Sequence, residues 1–314
     1  MKLLELVNTY VTFKRSLGMR FATQPRVLRR FSRVLGDLEV SEVTPEAVRA
    51  FLDGDRSVTN TWFLNYSLLR GLFKFAVSRG FTRRLPLPDI TPSPLPPFRP
   101  HIYSTNELTA LLTATSVLKS CRNPMQPSTF RVLLLLLYST GIRVGEALRL
   151  TLRDVDLHSR VITIQDTKFF KSRLVPVGPR LTEELLAFSK LRNALPMLQR
   201  EESAFFASST GRRIPYQHVI TLFQRVRSAA GVQRDKGSSY PPRLHDLRHT
   251  AAVHRVIAWY RDGADVQRLL PQLATYLGHK DLRSTQHYLT MTPELLERAS
   301  LRFQQYADPE GRHA

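Results

Sequence analysis

His245-Asp246-Leu247-Arg248-His249, Leu277-Gly278-His279 and Ser284-Thr285-Gln286-His287-Tyr288-Leu289 are the segments on which the reading of this chain turns. His245 and Arg248 stand three apart, so a helix carries them on one face. Tyr288 follows His279 by nine residues. Alone, these side chains are ambiguous. His245 and His249 have the i, i+4 spacing that can share a zinc ion, with His254 nearby. The Glu of a His-Glu-x-x-His pattern is absent, however, and Arg248 would set a cation beside the metal. Neither a metal nor any other cofactor is expected.

Working upstream, Ser139-Thr140-Gly141-Ile142-Arg143-Val144-Gly145-Glu146 breaks one apolar helix at Gly141 and starts another, placing Arg143 near a helix N-terminus. Free backbone N–H groups and the helix dipole favour an anion there. Val161–Ile164 and Arg173–Val177 read as two β-strands. Between them runs Thr167-Lys168-Phe169-Phe170-Lys171-Ser172-Arg173. Such a basic hairpin is costly to bury and suited to a nucleic-acid groove, with Lys168, Lys171 and Arg173 as candidate contacts; a solvated hairpin is the plainer alternative. The same half of the chain opens with a capping box at Ser104–Glu107. Helices are expected across Phe130–Ser139, Leu181–Leu191 and Tyr216–Ala229, and a loop across Arg234–Pro242.

The first 88 residues carry helical periodicity throughout. One helix spans Leu3–Leu17. A second, Pro25–Leu35, has Val27, Leu28, Phe31, Val34 and Leu35 as its apolar side and Arg26, Arg29, Arg30 and Arg33 opposite. Those four arginines form either a solvated face or a phosphate-contacting one, and the overall charge favours the latter. Thr44-Pro45-Glu46 caps a third helix. Asn60–Ser78 is the longest, with Trp62, Leu64, Leu68, Leu69, Leu72, Phe73 and Ala76 inward and Gly71 marking close helix packing. Seven prolines between Leu85 and Pro100 then exclude helix and central strand. The expected division is 1–88 as a helical domain, 89–101 as linker and 102–314 as a second domain, mainly α with a small β-sheet.

Composition bounds the partners. Among 314 residues, 46 Lys and Arg against 26 Asp and Glu give a net charge of +20. This points to a polyanion, nucleic acid before membrane. The longest apolar run, Val132–Tyr138, is too short to span a bilayer, and the N-terminus lacks a secretory pattern. A lone cysteine, Cys121, excludes an internal disulfide. A cytoplasmic location is expected.

Taken together, Arg143 in Thr-Gly-x-Arg-x-x-Glu, the hairpin Lys168, His245-x-x-Arg248, Leu-Gly-His279 and Tyr288 resemble the tyrosine recombinase (phage integrase) family over about residues 102–295. The resemblance implies an N-terminal SAM-like core-binding domain and an α+β catalytic domain. It implies site-specific DNA recombination, by an integrase or transposase-like enzyme (integration, excision or transposition) or by a chromosome-dimer-resolving recombinase. Tyr288 would be the nucleophile, forming a 3′-phosphotyrosyl bond. Arg143 and Arg248 would clamp the non-bridging oxygens. Lys168 would protonate the leaving 5′-oxygen, with Lys171 as its competitor; His245 would assist proton transfer and His279 would bind the phosphate. Glu146 would orient the arginine helix, and His249 would pack or orient. Double-stranded DNA, a homo-oligomer (tetramer) on it and partner recombinases are the implied partners; a non-catalytic DNA-binding protein on the same scaffold is the alternative. Two further features stand beside the pattern. The segment Asp262–Leu273 is longer than the family's usual turn before Leu-Gly-His, and Pro293–Tyr306 reads as a last helix.

Overall fold

The computed structural model describes residues 1–54, 58–93, 99–119, 126–165, 172–195, 199–233 and 240–279, with positions 285, 297, 300 and 301. Lys168, Lys171, Tyr288 and Cys121 lie outside the described residues, as does most of the expected helix 293–306. Two compact units make up the chain, Met1–Phe98 and Arg99–Ala314.

The first unit holds α1 (Leu3–Ser16), α2 (Gln24–Leu35), α3 (Pro45–Asp53) and α4 (Asn60–Ser78). Thr44 caps α3, its side chain accepting from the Ala47 N–H, and Pro45 supplies the preset φ of a first helical residue. Leu3, Leu6, Leu28, Phe31, Leu69 and Phe73 are fully buried in a shared core; each such side chain contributes about 1.5–3 kcal/mol. Gly71 does lie at a close approach, since a Cβ there would sit 2.6 Å from the Tyr10 hydroxyl of α1. Two expected core residues are instead at the surface: Leu64 is 69% exposed and Val34 61%. Leu64 is two residues from Trp62, and at about 100° per residue that step crosses to the opposite face. Val34 is six from Leu28, which leaves it well off the buried stripe.

In the second unit, Ser104 and Glu107 form the reciprocal capping box that opens α5 (Thr105–Ala114). The apolar α6 (Gln126–Thr140) runs through the centre of the core. A short α7 (Val144–Ala147) follows, then a three-stranded antiparallel sheet, β1 (Val155–Asp156), β2 (Val161–Ile164) and β3 (Arg173–Pro176), in that order. The register pairs Ile164 with Arg173 and Ile162 with Val175. Strand β1 is an addition to the two strands legible from alternation; at two residues it is too short to alternate. Helices α8 (Pro179–Asn193), α9 (Tyr216–Ala229), α10 (Asp246–Arg261) and α11 (Val266–Leu277) complete the described elements. Phe188, Phe205 and Phe206 pack ring to ring, and the buried Arg192 beside them donates to the Ala204 carbonyl. No described helix is long and apolar enough to cross a membrane.

The start of α10 is fixed from several directions. Asp246 is buried and accepts from the Arg243 backbone at 2.9 Å and its guanidinium at 2.9 Å. Thr250 receives the Tyr103 N–H at 3.0 Å, and the Tyr103 hydroxyl donates to the Arg243 carbonyl at 3.0 Å. These bonds hold the His245–His249 segment against the core before any ligand arrives.

Candidate active site

The site is built on the C-terminal end of α11. That helix stops at Gly278, which has φ +69 and ψ 43, the left-handed conformation glycine adopts without cost. Helix ends leave carbonyls without intrahelical donors. Here three successive carbonyls each receive a different arginine. Arg173 Nε donates to Tyr276 at 3.2 Å, Arg248 Nη2 to Leu277 at 2.8 Å, and Arg143 Nη2 to Gly278 at 3.2 Å. Cations are favoured at this end of a helix dipole.

Arg143 precedes α7 as its N-cap residue, and Glu146 closes the turn. The Glu146 carboxylate accepts the Arg143 backbone N–H at 3.0 Å and its Nη1 at 2.9 Å. Arg173 reaches the same carboxylate with both terminal nitrogens, at 2.8 and 3.3 Å. Burial alone would raise the Glu146 pKa, but hydrogen bonds and charge from Arg173 and Arg143 reverse this and lower it to about 2. Glu146 is therefore ionised throughout the neutral range. The Arg143 side chain stays 41% exposed, so its cation keeps an open side.

Arg248 is only 4% exposed. Besides Leu277, it donates to the Gly141 carbonyl at 2.6 Å. Gly141 takes φ +62, and a Cβ there would lie 2.6 Å from Leu277 Cδ2. The break between α6 and α7 thus lets the chain pass close to α11 and present a carbonyl to Arg248.

His245 ends the turn that enters α10, and its ring meets that of His249 edge to face at 5.3 Å. Although His245 keeps solvent access, the protein around it lowers its pKa by desolvation, and Arg248, Arg243 and Arg143 add to the effect while Asp246 opposes it. The shift favours the neutral imidazole, the form able to accept a proton. Desolvation and the neighbouring His245 push His249 further, to about 4. His254 turns away from this pair, its Nδ1 lying 2.9 Å from the Tyr138 hydroxyl. His279 follows the α11 cap, its Nδ1 lying 2.7 Å from Thr285 Oγ1.

The described structure therefore brings Arg143, Arg248, His279 and their supports to one helix end, with His245 on the same segment as Arg248. Lys168, Lys171 and Tyr288 fall outside what is described. Arg173 departs from the sequence reading. Expected as a DNA contact on a basic hairpin, it is folded inward with its side chain 12% exposed and its donors committed to Glu146 and Tyr276. As the first residue of β3 it lies at the hairpin base, where charge pairing with the buried Glu146 outweighs solvation. Arg26, Arg29, Arg30 and Arg33 are all exposed on α2, with Arg30 lying over the Phe51 ring at 5.6 Å. Thr285 was not singled out from sequence; it is fully buried, and only its bond to His279 reveals a role.

Residues 105–294 match the Phage integrase family. The chain belongs to that family. This integrase-family chain is 32% identical over 308 residues to the Sinorhizobium fredii protein y4rB, named as an integrase/recombinase, covering 96% of each chain. It is 30% identical to the tyrosine recombinase XerD of Mycobacterium tuberculosis, covering 91% of this chain and 92% of that one. In structure it resembles a lambda integrase dimer bound to a COC' core site, with TM-score 0.67, 20% identity and coverage of 90% of this chain and 97% of that one. The Tn1549 transposon integrase, in complex with a circular intermediate DNA, gives TM-score 0.70 at 16% identity, covering 95% and 99% respectively. At these identities the structural likenesses establish the fold, and the family membership rests on sequence.

Proposed function

We propose that this protein is a site-specific DNA recombinase that breaks and rejoins strands through Tyr288, with double-stranded DNA as its substrate. The observation that best supports the reading is the convergence of Arg143 and Arg248, distant in sequence, on the Leu277-Gly278 turn immediately before His279. A phosphodiester in transfer gathers charge on its non-bridging oxygens, and preorganised guanidiniums answer that charge. In this reading, the Tyr288 hydroxyl attacks the scissile phosphorus while a neutral His245 assists removal of its proton. The bond to the 5′-oxygen breaks, Lys168 supplies the proton that oxygen takes up, and the strand remains as a 3′-phosphotyrosyl ester. Attack by a 5′-hydroxyl reverses the step, so rejoining consumes no nucleotide cofactor. A phenol of pKa about 10 needs such a cationic site to react at neutral pH.

The four exposed arginines of α2 give residues 1–88 a phosphate-contacting face, which suits a core-binding domain. Recombination joins two duplexes, and a tetramer of this chain, alone or with partner recombinases, is the assembly proposed. The cytoplasm, where DNA is accessible, is its proposed location.

A duplex nicked near the cleavage position tests the reading. Loss of the short 5′-hydroxyl fragment prevents rejoining, so wild type accumulates as a covalent protein–DNA species while Tyr288→Phe yields none. Equal trapping by both proteins removes Tyr288 as nucleophile. No trapping by wild type on a site it demonstrably binds favours a DNA-binding protein without catalysis.

A further inference from the structure

We propose that Arg173 is a positioning residue for strand cleavage, holding Arg143 toward the phosphate and keeping its positive charge available through their shared partner Glu146. The inference rests on Arg143 acting as a phosphate ligand.

All three guanidinium nitrogens of Arg173 serve acceptors within the fold. Its side chain is 12% exposed, against 41% for Arg143. One face of its guanidinium grips both oxygens of Glu146, while Nε reaches around to the Tyr276 carbonyl. Its nitrogen and carbon atoms come so near Gly278 that a Cβ there would stand 2.8–3.1 Å from them. Arg173 therefore ties β3 to the turn of Arg143 and to the α11 end that receives Arg143 Nη2. A planar fork can serve these acceptors together; a lysine ammonium cannot match that geometry.

Charge gives the arrangement its consequence. One carboxylate between two guanidiniums leaves a net positive charge in the trio. Without Arg173, Glu146 pairs with Arg143 alone, cancelling the charge that a phosphate would meet. Arg173 from β3 and Arg143 at the head of α7 are the charged groups acting on Glu146, and the α11 end packed beyond them offers backbone carbonyls. Loss of the larger cationic partner also lets burial raise the Glu146 pKa, so the carboxylate that cancels Arg143 is relieved by protonation only on the acid side.

The test compares wild type, Arg173→Lys, Arg173→Gln, Arg173→Gln with Glu146→Gln, and Tyr288→Phe on the nicked duplex. Single-turnover trapping is followed at saturating protein from about pH 5 to about pH 9, with DNA affinity and thermal unfolding measured for each. For Arg173→Gln the cleavage rate is expected to fall at least about 30-fold while Kd stays within about 3-fold. Its pH–rate profile changes on the acid side relative to wild type, and Glu146→Gln in the same chain removes that change. Arg173→Lys recovers part of the rate. A cleavage rate within about 3-fold of wild type overturns the proposal, as does a loss confined to Kd, which marks a DNA contact. Should Arg173→Gln unfold, Arg173→Lys decides: wild-type rate and pH profile in that folded variant overturn the proposal. Failure of wild type to trap DNA sinks the nucleophile assignment and this inference together, whereas normal trapping by the Arg173 variants sinks the inference alone.

Discussion

Arg248 donates to the carbonyl of Gly141 at 2.6 Å, joining α10 to the break between α6 and α7. The contact places a buried cation against a backbone turn with left-handed geometry. Both partners are constrained, and each constraint yields an expectation.

Gly141→Ala should destabilise the fold by about 2–4 kcal/mol, combining backbone strain at positive φ with overpacking against Leu277. Urea unfolding measures the loss. An unfolding midpoint equal to that of wild type would show that the turn relaxes without resistance from α11.

Arg248→Lys retains the charge but not the fork. Two hydrogen bonds from a charged donor are lost or weakened, at a cost of about 1.5–3 kcal/mol each at most. Cleavage of the nicked duplex should drop by about 100-fold or more, since the phosphate donor is displaced as well. Near-normal cleavage by a folded Arg248→Lys protein contradicts the clamp.

The histidine pair makes stability depend on pH. His249 has a folded pKa of about 4 against the ordinary 6.5. A depressed folded value means that the unfolded chain takes up the proton first. The stabilisation is fully present above pH 6.5 and is lost as pH falls toward 4, by on the order of 3 kcal/mol. Glu146 acts in a lower window, from 4.5 down to about 2, which meets the histidine range only at its acid end. Unfolding free energies at about pH 7, about 5.5 and about 4.5 should decline for wild type and decline less for His249→Gln. Parallel curves would assign the pH dependence to other groups.

The α2 arginines are tested through salt. Replacing Arg26, Arg29, Arg30 and Arg33 together by Gln should make the slope of log K against log salt shallower by about 3 to 4, one phosphate contact for each residue. An unchanged slope would leave that face solvated and outside the DNA footprint.

Much of the site was legible because its residues occur in local patterns whose spacing is chemical. His245 and Arg248 share a helical step, and Gly141 marks a break. The inward pairing of Arg173 was hidden because sequence shows a charge beside two lysines but not the carboxylate it meets; Glu146 arrives from a separate turn and the pairing is tertiary. Leu64 was misplaced for a simpler reason: an apolar-rich helix invites every leucine into its core, whereas periodicity admits only one stripe. Thr285 carries no distinguishing neighbour in sequence, and its bond to His279 is seen only in the structure.

The end of α11 is a junction as well as a cap. Its three terminal carbonyls are moored to β3, α10 and the head of α7 by three separate guanidiniums. Sliding this helix along its axis by even one residue, about 1.5 Å, would stretch all three moorings at once. Any displacement of α11 would therefore reach the three arginines as a set, because they share its end as a common anchor.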